Sequence, residues 1–272
     1  MADRNGKVDQ PSSEKYRMDS LPGFDAVPKD MREALERFND EAEGIVQSFL
    51  ATLESQPPPQ IIYHYTNDVG LEGILETRQL WLIDIFSLND PSELTHGFEV
   101  AISALTSKVA NDSAAGQKFA KNFAAFAQQG AIQRTAHFFM CSFSSCGDDL
   151  GQWRAYADNG RGFALGFDAK VLENAFTKKD RIPIPNNSTF HITYDDARLF
   201  AIQSQIVEKM RNLILMPSGR GLQDATINVY MAELQMLVTL HMLQSTLFFK
   251  HEAYARGSSD SCRYTRPMSL PL

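Results

Sequence analysis

Short β-prone runs separated by helical patterns, with two long helical patterns after the last run, constrain the fold of this chain most. The runs are Ile61 to Tyr65, Gln79 to Ile83, Thr135 to Ser144, Gly162 to Phe167 and Phe190 to Tyr194. Each is five to ten residues rich in Ile, Tyr, Phe or Trp and bounded by turn or cap residues, as strands are. The last two helical patterns cover Ala197 to Leu215 and Leu222 to Leu247, separated by the breaker run Pro217-Ser218-Gly219. Strands clustered in one region and long helices in another give an α+β domain. The expected sheet is small, mixed or antiparallel, of about five strands, and surrounded by several helices.

A further helix precedes the sheet region. Met31, Leu35, Phe38, Ala42, Ile45 and Phe49 step by fours and threes, opened by Pro28 and ended before Pro57, Pro58 and Pro59. The chain therefore divides into a mobile leader over 1–27, an N-terminal amphipathic helix over 28–56, a main globular domain over 61–254 and an atypical, disordered tail over 255–272. No repeat or low-complexity tract interrupts this organisation.

The formal net charge of −7 excludes a general nucleic-acid binder, which needs clustered Lys and Arg to displace counterions from phosphates. Membrane insertion is not expected, because no apolar run approaches the roughly 18 residues that span a bilayer. The polar start lacks the apolar core of a secretory signal, and Cys141, Cys146 and Cys262 do not make a disulfide framework. The expected compartment is the cytoplasm. The Cys141-x4-Cys146 pair lacks two further ligands nearby, so no metal site is expected.

Three groups of residues invite a chemical reading beside a packing one. His64, Tyr65 and Thr66 end a strand, and a neutral imidazole there offers one donor and one acceptor. The packing alternative is a histidine that satisfies a neighbouring carbonyl. Asn89, Asp90, Pro91 and Glu93 form a capping-box-like helix start, with Asp90 at N-cap, Pro91 at N1 and Glu93 at N3. The same helix start could bind a pyrophosphate or place a carboxylate against developing positive charge. Trp153 and Tyr156 share one face of a short helix opened by Asp148-Asp149, as a stacking wall or as core. Ser142 and Cys141 give a weaker hydrolase reading, because no Gly-x-Ser-x-Gly elbow is present.

Taken in order, Tyr63-His64-Tyr65-Thr66, Gly73-Ile74-Leu75 with Leu80-Trp81-Leu82, and Leu88-Asn89-Asp90-Pro91-x-Glu93 resemble a bacterial domain-of-unknown-function family, number 2971. Cys141-Ser142-Phe143-Ser144, Trp153-x-x-Tyr156-Ala157 and Gly162 to Phe167 continue the resemblance, which spans about Ile61 to Tyr254. The His64-Tyr65-Thr66 opening is also similar, more distantly, to the start of ADP-ribosyltransferases. That resemblance implies NAD as co-substrate, with His64, Tyr65 and Thr66 at the nucleotide; the helix-start and stacking readings then add Asn89, Trp153 and Tyr156 at the nucleotide and Glu93 and Asp90 as catalytic carboxylates. The chain departs from the family after Tyr254, and the tail looks like the product of a shifted reading frame or early truncation. Were the replaced segment the bearer of the catalytic glutamate, this copy would bind nucleotide without turnover. The alternative is a non-enzymatic binding or defence-associated module whose N-terminal helix and aromatic surface engage a protein partner.

Overall fold

The computed structural model describes residues 21–54, 59–84, 87, 92–110, 113–128, 137–177, 188–247, 249 and 261–268. Helix α1 (Lys29–Glu54) begins where Pro28 ends, and the Pro28 carbonyl accepts from the amides of Met31 and Arg32. Its buried stripe runs Met31, Leu35, Phe38, Ala42, Val46, Phe49 and Leu53. Val46 replaces the expected Ile45 at the centre, which is the drift of a 3.6-residue turn along a long stripe. Phe24 and Val27 are buried in the same cluster ahead of the helix. The expected leader thus gives way to packed chain before residue 28, and two apolar residues three apart were too few to show a period.

The other helices of this layer are α3 (Ser92–Leu105), continued by a π turn over Thr106–Ala110, then α4 (Ala114–Gln128), α7 (Asp196–Met210) and α8 (Asp224–Thr246). Helix α8 is the hub. It buries Tyr230, Leu234, Leu237, Val238, His241, Met242 and Leu243 around its circumference, as a helix enclosed by neighbours must. Helices α1, α3, α4 and α7 pack around it in one continuous apolar cluster. The α3–α8 crossing is close at Gly97, where a Cβ would collide with the Thr246 side chain.

Among the described residues six strands form the sheet: β1 (Ile61–Thr66), β2 (Ile83–Asp84), β3 (His137–Ser144), β4 (Phe163–Asp168), β5 (Ser188–His191) and β6 (Ser261–Met268). Their order is β4-β1-β3-β6-β5, with β2 also paired to β3, and every strand pair is antiparallel. Strand β3 joins the sheet to the helices through Met140, which lies in the large cluster. On the other face Ile62, Cys141, Phe143 and Ala169 make a second, smaller cluster with Leu80, Leu82, Phe167 and Leu172. Three short helices complete the described chain: α2 (Asp68–Thr77), α5 (Leu150–Tyr156) and α6 (Ala169–Thr177). Among the described residues no helix is long and apolar enough to cross a membrane.

Two expectations change here. The tail over 255–272 was expected to be without structure, yet β6 lies within it and pairs with β3 from His137↔Met268 to Ser144↔Ser261. Backbone pairing needs no apolar alternation, so a polar segment can be an interior strand. The expected strand over Gln79 to Ile83 shrinks to Ile83–Asp84. Helix α2 ends on Arg78 in the left-handed region (φ 53°), and the next residues alternate inward and outward without a described ladder partner.

Candidate functional site

The first candidate site lies where β1 and β3 separate. Their register is a single pair, Tyr63↔Ser144, while β2 meets β3 further along at Met140 and Phe139. The Ser142 carbonyl falls between these pairings, and His64 Nδ1 donates to it at 3.2 Å. A carbonyl can only accept, so the proton of the neutral ring sits on Nδ1 and Nε2 keeps the lone pair. Burial lowers the His64 pKa below its ordinary value, partly offset by the Ser142 bond, and the ring is neutral at pH 7. Phe143 packs against the imidazole at 5.7 Å between centroids and Phe167 stands edge-on to Phe143 at 6.0 Å.

Cys141 Sγ lies 3.7 Å from His64 Nδ1. Burial pushes its thiol up to about 12, so the thiolate needed for nucleophilic attack is suppressed. The hydrolase reading through Cys141 loses its chemistry on this point.

Tyr65 is a neighbour of His64 in sequence but not in direction, because successive strand side chains point to opposite sheet faces. Its hydroxyl donates to the Cys146 carbonyl at 2.8 Å and accepts from the Asp149 amide at 3.0 Å. Its ring meets Trp153 edge-on at 5.0 Å, and Trp153 Nε1 donates to Asp148 Oδ1 at 2.8 Å. Tyr65 thus ties the turn before α5 to β1, and Asp149 caps α5 by accepting from the Gln152 amide. Tyr156, one turn beyond Trp153, is exposed. Tyr65 and Trp153 come together; His64 lies on the other face of its strand.

Thr66 is confined by two close approaches. A Cβ at Gly70 would collide with Thr66 Oγ1, and one at Gly162 would collide with the Thr66 carbonyl oxygen. These glycines are required by packing, which accounts for one of the two in the Gly162 to Phe167 run. Glu93 lies in the first turn of α3. Asn89, Asp90 and Pro91 fall outside the described residues, as do the side-chain surroundings of Glu93. Sequence reasoning passed over His96, whose Nε2 lies 2.9 Å from Asp196 Oδ1 and links α3 to α7. A separation of 100 residues leaves no local signal for that pair.

A second candidate surface adjoins the first along the chain. Helix α2 starts on Asn67, whose side chain accepts from the Gly70 amide at 2.9 Å. None of its residues is buried. Val69 is 70% exposed, Leu75 65% and, just past the helix, Trp81 79%. Leu80 and Leu82 pack on the Ile62 cluster on either side of Trp81, so the extended segment holds the indole outward. Among the described residues no group of three or more His, Cys, Asp or Glu is arranged to hold a metal ion.

Fold and site together define an α+β domain: an antiparallel sheet with a thick helical layer on one face and a thin, partly open cover on the other. The family described as "Protein of unknown function (DUF2971)" matches residues 152–257, from within α5 through β4, α6, β5, α7 and α8. The match takes in the Trp153-x-x-Tyr156-Ala157 and Gly162 to Phe167 motifs; the His64 and Asn89 to Glu93 motifs precede it. Comparison with curated proteins and with solved structures gives no match.

Proposed function

We propose that this domain is a non-enzymatic binding module that takes a protein partner on the surface formed by α2 and the segment reaching Trp81. The observation that carries the reading is that α2 buries none of its ten residues while exposing Val69 and Leu75, with Trp81 beside it. A ten-residue helix is marginal in water by itself, and tertiary packing of its apolar face normally supplies its stability. Large exposed apolar side chains on one short segment, a tryptophan among them, point to an interaction surface, where aromatic anchors carry most of the binding energy. The test is capture from a host extract by the intact chain and by a Leu75→Ser/Trp81→Ser variant with an unchanged circular dichroism spectrum. Partners retained only by the unmodified chain support the reading; identical capture by both rejects it.

A second reading, nucleotide binding of the ADP-ribosyltransferase type, draws on His64. A neutral imidazole with Nδ1–H committed to Ser142 keeps Nε2 as an acceptor suited to a ribose hydroxyl. Glu93, Asp90 and Asn89 would serve this reading only from the same cleft as His64. Its test is the thermal midpoint with NAD, ADP-ribose and nicotinamide at saturation, since a ligand bound only to the folded state raises it. A rise lost in His64→Ala supports NAD as co-substrate, and no rise in a folded sample rejects it.

A further inference from the structure

We propose that the partner segment received by α2 is a basic amphipathic helix, with a Lys or Arg stripe flanked on both sides by apolar residues. This rests on the binding-module reading and adds the chemistry of the partner. Asp68, Glu72 and Glu76 recur every four residues, so they stand above one another along the outer side of α2. Helical spacing puts Leu75 on one flank of this carboxylate stripe and Val69 on the other, while Gly70, Leu71 and Ile74 turn inward and are partly buried. All three carboxylates are exposed, and among the described residues no cation pairs with any of them.

That arrangement costs the isolated helix stability. Like charges four apart repel by a few tenths of a kcal/mol each. Glu76, in the last turn, also sits at the negative end of the helix dipole, where a base is favoured. The segment from Asp68 to Thr77 holds no base, and Arg78 follows only after the helix has ended. A cationic stripe on the partner would relieve both repulsions, and the apolar residues flanking it would cover Leu75 and Val69. An acidic partner or an anionic lipid surface would add to the repulsion. The docking mode is a helix whose apolar anchors set affinity and whose basic residues set orientation and encounter rate.

The experiment uses the full chain and two labelled, helix-stapled peptides of about 15 residues. They share leucines on both flanks of one face; the stripe between them carries lysines in one peptide and glutamates in the other. Fluorescence anisotropy is expected to show binding of the lysine peptide only, weakening as salt is raised. Affinity should fall roughly tenfold in Glu72→Gln/Glu76→Gln, as expected for two exposed ion pairs. Equal binding of the glutamate peptide overturns the proposal while leaving an apolar binding module in place. No binding of the lysine peptide overturns it as well, and the capture experiment with Leu75→Ser/Trp81→Ser then decides separately whether the module reading stands. A chain that self-associates in sedimentation and becomes monomeric in Leu75→Ser has a second copy as occupant, which also overturns the proposal.

Discussion

Acid should destabilise this fold through one histidine. His241 lies in α8, 2% exposed, with Nε2 3.1 Å from Asn39 Oδ1, Nδ1 3.2 Å from Gln244 Oε1 and its ring edge-on to Phe38. Burial lowers its pKa from 6.5 to about 4, against a smaller opposing effect of the Gln244 bond. A neutral imidazole carries one N–H and one lone pair, so one of the two amides must turn its NH2 toward the ring. The unfolded chain takes up a proton near pH 6.5 and the folded chain only near pH 4, so between these values the unfolded state binds more protons. Stability from this site is complete above pH 6.5 and is lost as pH falls toward 4, after which no further loss comes from it. A separation of about 2.5 pKa units corresponds to about 3 kcal/mol, a large share of the 5–15 kcal/mol that holds a typical domain together. Urea unfolding from pH 4 to 8 should therefore give the unmodified chain and His241→Gln stability curves that converge as pH falls. The constant difference removed by the substitution appears at every pH; the pH-dependent part belongs to the titration. Parallel curves across the whole range would refute the reasoning.

Three other outcomes follow from the packing. Gly97→Ala should lower stability by about 1–3 kcal/mol despite the better helix propensity of alanine, because Thr246 Oγ1 stands 2.5 Å from the new Cβ. Equilibrium unfolding reads this, and a stabilised variant would mean that α3 and α8 separate at no cost. Tyr65→Phe should cost about 1–3 kcal/mol, since it strips a partner from both the Cys146 carbonyl and the Asp149 amide. Faster amide exchange confined to 145–150 would locate that loss. Cys141 should react with a thiol reagent only at the rate of unfolding, because its pKa is pushed up to about 12 and its side chain is buried. Rapid modification at pH 8 in the folded protein would contradict the description of that cluster.

Apolar periodicity made α1, α4 and α7 legible in the sequence, continuous apolar character made α8 and β3 legible, and local cap chemistry made the starts of α2 and α5 legible. Asn67 and Asp149 accept amide bonds three residues ahead, as the capping pattern implies. Strand β6 was hidden because its place depends on the edges of β3 and β5, which a linear pattern does not encode. Of the candidate site, the sequence singles out residues and not their direction: His64 and Tyr65 read as one motif, and strand alternation sends them to opposite faces. Leu75 and Trp81 read as ordinary helix and strand residues. Only the structure shows that described neighbours leave them exposed.

The position of β6 also sets an order of assembly. Strand β5 finds its sheet neighbour in β6, and β6 fills the edge of β3 opposite β1 and β2. Ser144 and Ser261, which end up paired, leave the ribosome on the order of ten seconds apart at about 5–20 residues per second. During that interval α8 can already close the helical layer, while β3 presents an unpaired edge and β5 lacks its sheet neighbour. A nascent chain of this kind completes its helical layer before it completes its sheet, and its open strand is the form that a chaperone or a neighbouring nascent chain would meet.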